Sequence, residues 1–320
     1  QQIDLAVLRS HAECVQTQRR MVTCCNQDQQ FFLLTIGCYL LAVGLLWRSF
    51  FFKPFKLFAV FTHELSHAIA ATLCCQRVTG IEVTWSSEGG LCTYKGVSVQ
   101  SLRVKCCVLP AGYVGSCLWG CGLTLACAFP IGARVAGCVV CAAAAVAFLY
   151  ALCGTAKGVE ERCTIIFLCV FFGLLCGGLT ALDFAEVWDD SRFLLEAVIL
   201  FVGCTNMMYA TFDVYDDTVR RKDERSDAYK FAALSPCMFA RCVGAVWFLI
   251  GFCACVAAIG GTIIIAGGDN SVGKDGGAPS PFSLTWWKML PALGVLGIAV
   301  AAVILEACIC RRGTHRVGSG

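Results

Sequence analysis

Phe61-Thr62-His63-Glu64-Leu65-Ser66-His67-Ala68 sets a His-Glu-x-x-His motif inside an apolar run of transmembrane length. Two imidazoles four residues apart share one face of a helix, about 6 Å apart in rise, so both can bind one zinc ion. The glutamate between them stands where it can take a proton from a metal-activated water. A soluble metallopeptidase would carry this motif on an amphipathic helix. Here the flanks, Phe55 to Phe61 and Ala68 to Leu73, are nearly all apolar. The chemistry these residues imply is zinc hydrolysis within a membrane.

Composition agrees. Of 320 residues, 58% are hydrophobic and 15% charged, with a mean hydropathy of +0.72. Soluble domains run about 45–50% apolar and about 25% charged. Several runs approach the roughly 20 apolar residues that cross a bilayer. The expected fold is an all-α polytopic membrane protein with about eight transmembrane helices, at about 31–47, 55–75, 107–129, 131–153, 164–182, 193–217, 237–266 and 288–310. Pro130 alone separates the third from the fourth. These spans form one transmembrane domain, 31–310, with a peptidase-like core at about 55–250, between a polar N-terminal tail (1–30) and a C-terminal tail (311–320). The tail at 1–30 lacks an apolar signal core, so the first span is expected to direct insertion. The net charge of +3 is spread over short loops, which excludes a nucleic-acid-binding block. Arg19-Arg20, Arg77, Arg103, Lys105, Arg220 to Arg225 and Arg311-Arg312 fall on one side, which puts both termini in the cytosol. Arg48, Lys53 and Lys56 fall on the other side and conflict with that count.

Most of the 25 cysteines lie within apolar runs: Cys117, Cys121, Cys127, Cys138, Cys141, Cys153, Cys169, Cys176, Cys253 and Cys255 are examples. In lipid they serve as small apolar residues that let helices approach. Cys138-Val-Val-Cys141 has zinc-ligand spacing but no second pair. Cys24-Cys25 and Cys106-Cys107, near loops, are sites where palmitoylation would fit. Gly112, Gly115, Gly120 and Gly122 along the third span read as close helix packing.

After the motif helix the pattern changes. Ile81, Val83 and Trp85 alternate with Glu82, Thr84 and Ser86, then Ser86 to Gly90 turns and Leu91 to Tyr94 returns. This predicts a small β-hairpin directly after the metal-binding helix. Strand edges are not tolerated facing lipid, so the hairpin should lie at the interface or line a water-filled cleft. Its edge, with Ile81 and Val83, is a candidate for holding an extended substrate by strand addition.

Catalytic zinc takes three protein ligands and keeps one position open. His11 and His315 lie in the tails, so a carboxylate must complete the set. One source is the loop with Asp183, Glu186, Asp189 and Asp190; the other is Asp213, Asp216 and Asp217. If Arg77 and Arg220 mark the same membrane face, His67 lies about 15 Å inside, Asp213 about 10 Å and Asp217 about 5 Å. Depth therefore selects Asp213 as the third ligand, with Asp217 as runner-up or as a group that orients it. Asn206, deeper on the same face, could hold a scissile carbonyl or join two helices.

His63-Glu64-Leu65-Ser66-His67-Ala68, Arg77-Val78, Ile81-Glu82-Val83, Glu88-Gly89-Gly90, Leu109-Pro110-Ala111-Gly112-Tyr113-Val114-Gly115-Ser116, Asp213-Val-Tyr-Asp-Asp217 and Ser226-Asp227-Ala228 occur in that order. Together they resemble the bacterial and fungal subgroup of site-2-protease-like membrane peptidases, over roughly residues 55 to 250. The resemblance implies one zinc per chain held by two histidines and an aspartate, a catalytic Glu64, and cleavage of a transmembrane protein substrate. The family's better-known Asn-Pro-Asp-Gly and Leu-Asp-Gly contexts are absent; Leu182-Asp183-Phe184 comes nearest. The alternatives are an inactive membrane scaffold or chaperone built on the same groove and, further off, a channel or transporter.

Overall fold

The computed structural model describes residues 27–96, 98–129, 131–153, 158–187, 191–268 and 289–317. Most of the N-terminal tail, Cys24-Cys25, Pro130, Asp189, Asp190 and the side chains of the C-terminal tail lie outside the described residues.

The chain is mostly helical, with α1 (Gln27–Leu46), α2 (Lys53–Leu73), strands β1 (Arg77–Thr84) and β2 (Gly89–Lys95), then α3 (Leu102–Ala126) and α4 (Gly132–Cys153). There follow α5 (Val159–Phe184), α6 (Ser191–Tyr215), the short α7 (Asp227–Ala232), α8 (Ala240–Gly268) and α9 (Leu290–Val317). A π-turn at Gly173–Gly177 interrupts α5, and another at Asp216–Arg220 ends α6.

Among the described residues six helices, α1, α3, α4, α5, α6 and α8, are long and apolar enough to cross a membrane. The expected eight spans differ at two places. The motif helix α2 carries Lys53, Lys56, His63, Glu64 and His67, which lower its hydropathy. The described apolar part of α9 is short, Leu290–Val303.

Helix association in lipid comes from close packing and interhelical hydrogen bonds. Helix α6 supplies both. It crosses α3 where Gly120 meets Gly203, so closely that a Cβ on Gly120 would sit 2.5 Å from the Met207 backbone nitrogen. It meets α2 where Thr62 Oγ1 donates to Asn206 Oδ1 at 2.6 Å. Asn206 Nδ2 in turn donates to the Val202 carbonyl at 2.9 Å. Asn206 thereby bridges α6 to α2. Phe58, Phe172, Leu195 and Ile199 fill one core cluster; Tyr39, Phe52 and Phe201 fill a second.

The hairpin forms as the period-two pattern predicts, antiparallel, with Ile81 opposite Cys92 and Thr84 opposite Gly89. Its path is the surprise. Cys75, at φ 57°, reverses the chain at the end of α2, and β1 then runs back along that helix. The turn ends beside the first residues of α2, where Glu88 pairs with Lys56 and lies 3.7 Å from Lys53. Lys53 stacks over Trp85 and Lys56 over Trp47, each 5.2 Å from the ring centroid. The Ser86 N–H donates to Glu160 at the start of α5, 2.8 Å away. The two lysines that conflicted with the charge count are therefore mostly buried and share the single Glu88 carboxylate. At about 3.3 Å per residue β1 is as long as about five helical turns, so the hairpin runs beside much of α2, which the sequence reads as a membrane span. Such backbone is tolerated only when buried in protein or lining a wet cleft.

Candidate metal centre

Helix α2 brings His63, Glu64 and His67 into the bundle interior, each about 6% exposed. The two rings are 4.8 Å apart between centroids, with their Nε2 atoms 3.1 Å apart. His67 Nδ1 lies 2.7 Å from the Val108 carbonyl of α3, an acceptor only, so that nitrogen carries a proton and Nε2 is the atom left to face Asp227. His63 is held by packing instead, with the Tyr113 ring 4.9 Å away at right angles. Its Nδ1 is buried with no hydrogen-bond partner among the described residues.

The third group is Asp227. Its Oδ2 lies 3.2 Å from His63 Nε2 and 2.9 Å from His67 Nε2, and its Oδ1 lies 3.6 Å from Lys230. After the π-turn of α6, Lys222 at φ 52° reverses the chain. The Asp223 N–H donates to the Asp217 carbonyl (3.0 Å), and the Ser226 N–H to that of Asp223 (3.0 Å). Extended Ser226 then starts α7. Ala228 and Ala232, one turn apart, pack with Tyr113, Val214, Val243 and Trp247, which fixes the helix start against the histidines. Burial opposes ionisation of Asp227, but hydrogen bonds from His63 and His67, and their charge, hold its carboxyl well below the usual carboxylate range.

His63, His67 and Asp227 each offer one ligand atom, all within 4.8 Å of one another. Two imidazole nitrogens and a carboxylate oxygen form a donor set suited to catalytic zinc, which keeps its fourth position open. The backing of the site fits as well. Gly112 of α3 lies so close that a Cβ there would overlap Nε2 of both histidines. Glu64 points to the hairpin: it accepts from the Cys92 N–H, and a Cβ on Gly90 would come within 2.5 Å of its Oε1.

Asp213 and Asp217, selected by depth, face elsewhere. Asp213 Oδ1 pairs with Arg221 at 3.2 Å and its carboxylate accepts from Tyr209. Asp217 pairs with Arg221 at 3.0 Å and accepts from the Tyr113 hydroxyl at 2.5 Å. Depth along α6 points to Asp213, whereas the carboxylate oxygen within 3.2 Å of both Nε2 atoms belongs to Asp227, after the chain doubles back. Asp183 is engaged far along the chain, with Arg134 at 2.5 Å and Ser191 at 3.3 Å. Among the candidate substrate contacts, Val83 is fully buried in the core and Asn206 is occupied between helices. Ile81 remains, lining an apolar groove of about 600 Å3 with Leu65, Ala68 and Trp119. The signal for Asp227 was present in Ser226-Asp227-Ala228, a helix-capping residue followed by an acid in the first turn.

No curated protein and no solved structure matches the chain. A family model described as Peptidase M50B-like matches residues 36–258, more than half of its length. The order of motifs, the convergent histidines and that match agree, and the chain belongs to the Peptidase M50B-like family.

Proposed function

We propose that this integral membrane protein is a zinc-dependent endopeptidase that hydrolyses a peptide bond of a membrane-protein substrate within or near the bilayer. The observation that carries the reading is the convergence of His63, His67 and Asp227 beside the buried Glu64. These three residues would hold one zinc per chain. Zinc bound there supplies Lewis-acid polarisation of the scissile carbonyl and brings the pKa of water to about 7.

The protein's own groups do the rest. Glu64 takes the proton of the attacking water and returns it to the leaving amine. The Cys92 amide and the bare face of Gly90 aim its carboxylate. The β2 edge beside Glu64 suits an unwound substrate segment, since strand addition straightens the bond that a helix would shield. Ile81 and the groove it lines would take an apolar substrate side chain or helix. Water enters from the face marked by Arg77 and Arg220, the side where the termini are read as cytosolic.

The test is Glu64→Gln. Cleavage should fall by about 10²–10⁴-fold while zinc stays bound. Profiling the new N-termini in membranes of cells carrying either version identifies the substrates from their cleavage products. Loss of zinc in the variant contradicts the role given to Glu64. Identical profiles, with zinc present in both, favour the inactive scaffold.

A further inference from the structure

Away from the histidines, α3 and α8 meet along a regular seam in which Tyr113 faces Trp247, with ring centroids 5.5 Å apart. One turn on, Cys117 faces Gly251, whose carbonyl is 3.4 Å from the Cys117 sulfur. A further turn on, Cys121 and Cys255 complete a cluster. The Cys117 sulfur lies 3.9 Å from that of Cys121 and 3.7 Å from that of Cys255, and all three sulfurs fall within 4.8 Å. Cys117 is buried, while Cys121 and Cys255 pack toward the core shared by α1, α6 and α9.

Small-residue packing accounts for a cysteine here and there; it does not require three sulfurs to converge. Three sulfurs bound to one ion at about 2.3 Å lie about 3.8–4.0 Å from each other. The two separations from Cys117 already meet that, and the third pair lies within 4.8 Å. No fourth His, Cys, Asp or Glu joins the cluster among the described residues. Structural zinc closes a four-ligand shell. A soft monovalent ion is satisfied by three sulfurs, and thiolates select it over hard cations.

We propose that Cys117, Cys121 and Cys255 form a three-coordinate site for Cu(I), separate from the histidine centre. Binding replaces thiol protons by sulfur–copper bonds, and the protons pass to solvent. No electron is transferred. The ion ties α3 to α8 one turn from Tyr113, the residue that packs against His63 and α7.

The experiment is Cu(I) titration of the full chain in detergent, under argon with a phosphine reductant and a competing Cu(I) chelator, followed by X-ray absorption at the copper edge. The expected result is one copper per chain with three sulfur neighbours, in wild type and in His63→Ala alike. Cys255→Ser should drop to near zero, whereas Cys138→Ser on α4 should retain it. Copper absent from wild type, bound through nitrogen, or retained in Cys255→Ser would overturn the site. So would zinc found bound to the three sulfurs. The wild-type spectrum decides the matter even if the cysteine variants misfold. Because His63→Ala keeps copper under this proposal, failure here and failure of the zinc reading are distinguishable.

Discussion

Two acidic regions lie next to the same pair of histidines. The end of α6 carries Asp213 and Asp217; the start of α7 carries Asp227. The first pair is spent on Arg221, Tyr209 and Tyr113. The second offers an oxygen to both imidazoles at once. Chemically the three residues are identical, so the difference lies in what their backbones leave within reach. A carboxylate clamped by arginine stabilises the site's frame, whereas one aimed at two nitrogens suits a ligand.

The largest effect should follow from exchanging these roles. Asp227→Ala removes the oxygen shared by both histidines, so bound zinc should fall from one per chain to near none, with cleavage lost. Asp213→Ala should keep zinc, because it acts through Arg221 and Tyr209; changes of that kind usually cost about 10–100-fold in affinity or activity. Metal analysis of the two purified variants side by side reads this directly. Zinc retained in Asp227→Ala and lost in Asp213→Ala would reverse the comparison.

The next effect probes the wall behind the histidines. Gly112→Ala places a methyl group where both Nε2 atoms lie, so the rings must move. Zinc affinity should drop by at least about tenfold with the helices intact, a loss comparable to that from disturbing outer-shell support. Circular dichroism checks the fold and competition with a zinc chelator reads the affinity. Unchanged affinity would mean that the histidines turn away from Gly112 when metal binds.

What could be read from the sequence follows from how local each signal is. Helix positions and the His-Glu-x-x-His face depend on spacing within a few turns, so they were legible. The hairpin's alternation of Ile81, Val83 and Trp85 was equally local. Asp227 was legible as the acid of a helix start but not as a neighbour of the histidines, because its place depends on the reversal at Lys222 and on two alanines packing against α3 and α8. Counting depth from Arg220 assumed that the chain leaves the membrane there and does not return. The lysines that broke the charge rule were in fact a clue: Lys53 and Lys56 needed a counter-charge, and Glu88 in the turn was the candidate.

A smaller effect separates the frame from the site. Asn206→Ala removes the acceptor of Thr62, one turn along α6 from the buried glycine crossing. Interhelical hydrogen bonds in membranes average about 0.6 kcal/mol and reach about 1.7. A loss of stability in that range, with zinc and cleavage retained, would fix Asn206 as a joint between helices. Cleavage lost with stability unchanged would return it to the substrate.

The smallest effect belongs to the hairpin tip, where Glu88 faces the two lysines at the start of α2. Glu88→Gln removes the partner of Lys53 and Lys56, but these side chains are 36%, 13% and 14% exposed, so water can replace much of the attraction. Ion pairs of this kind are worth about 0–1 kcal/mol. The Ser86–Glu160 bond and the two lysine–tryptophan contacts still hold the turn. Melting temperature should therefore barely move, and zinc should stay. Cleavage is the informative reading, because β2 also supplies Gly90 and Cys92 to Glu64. A variant that keeps zinc and stability yet loses cleavage would show that the tip sets the strand's register beside the catalytic carboxylate. Metal affinity would then rest on α2, α3 and α7 alone, and the hairpin would govern only what is done with it.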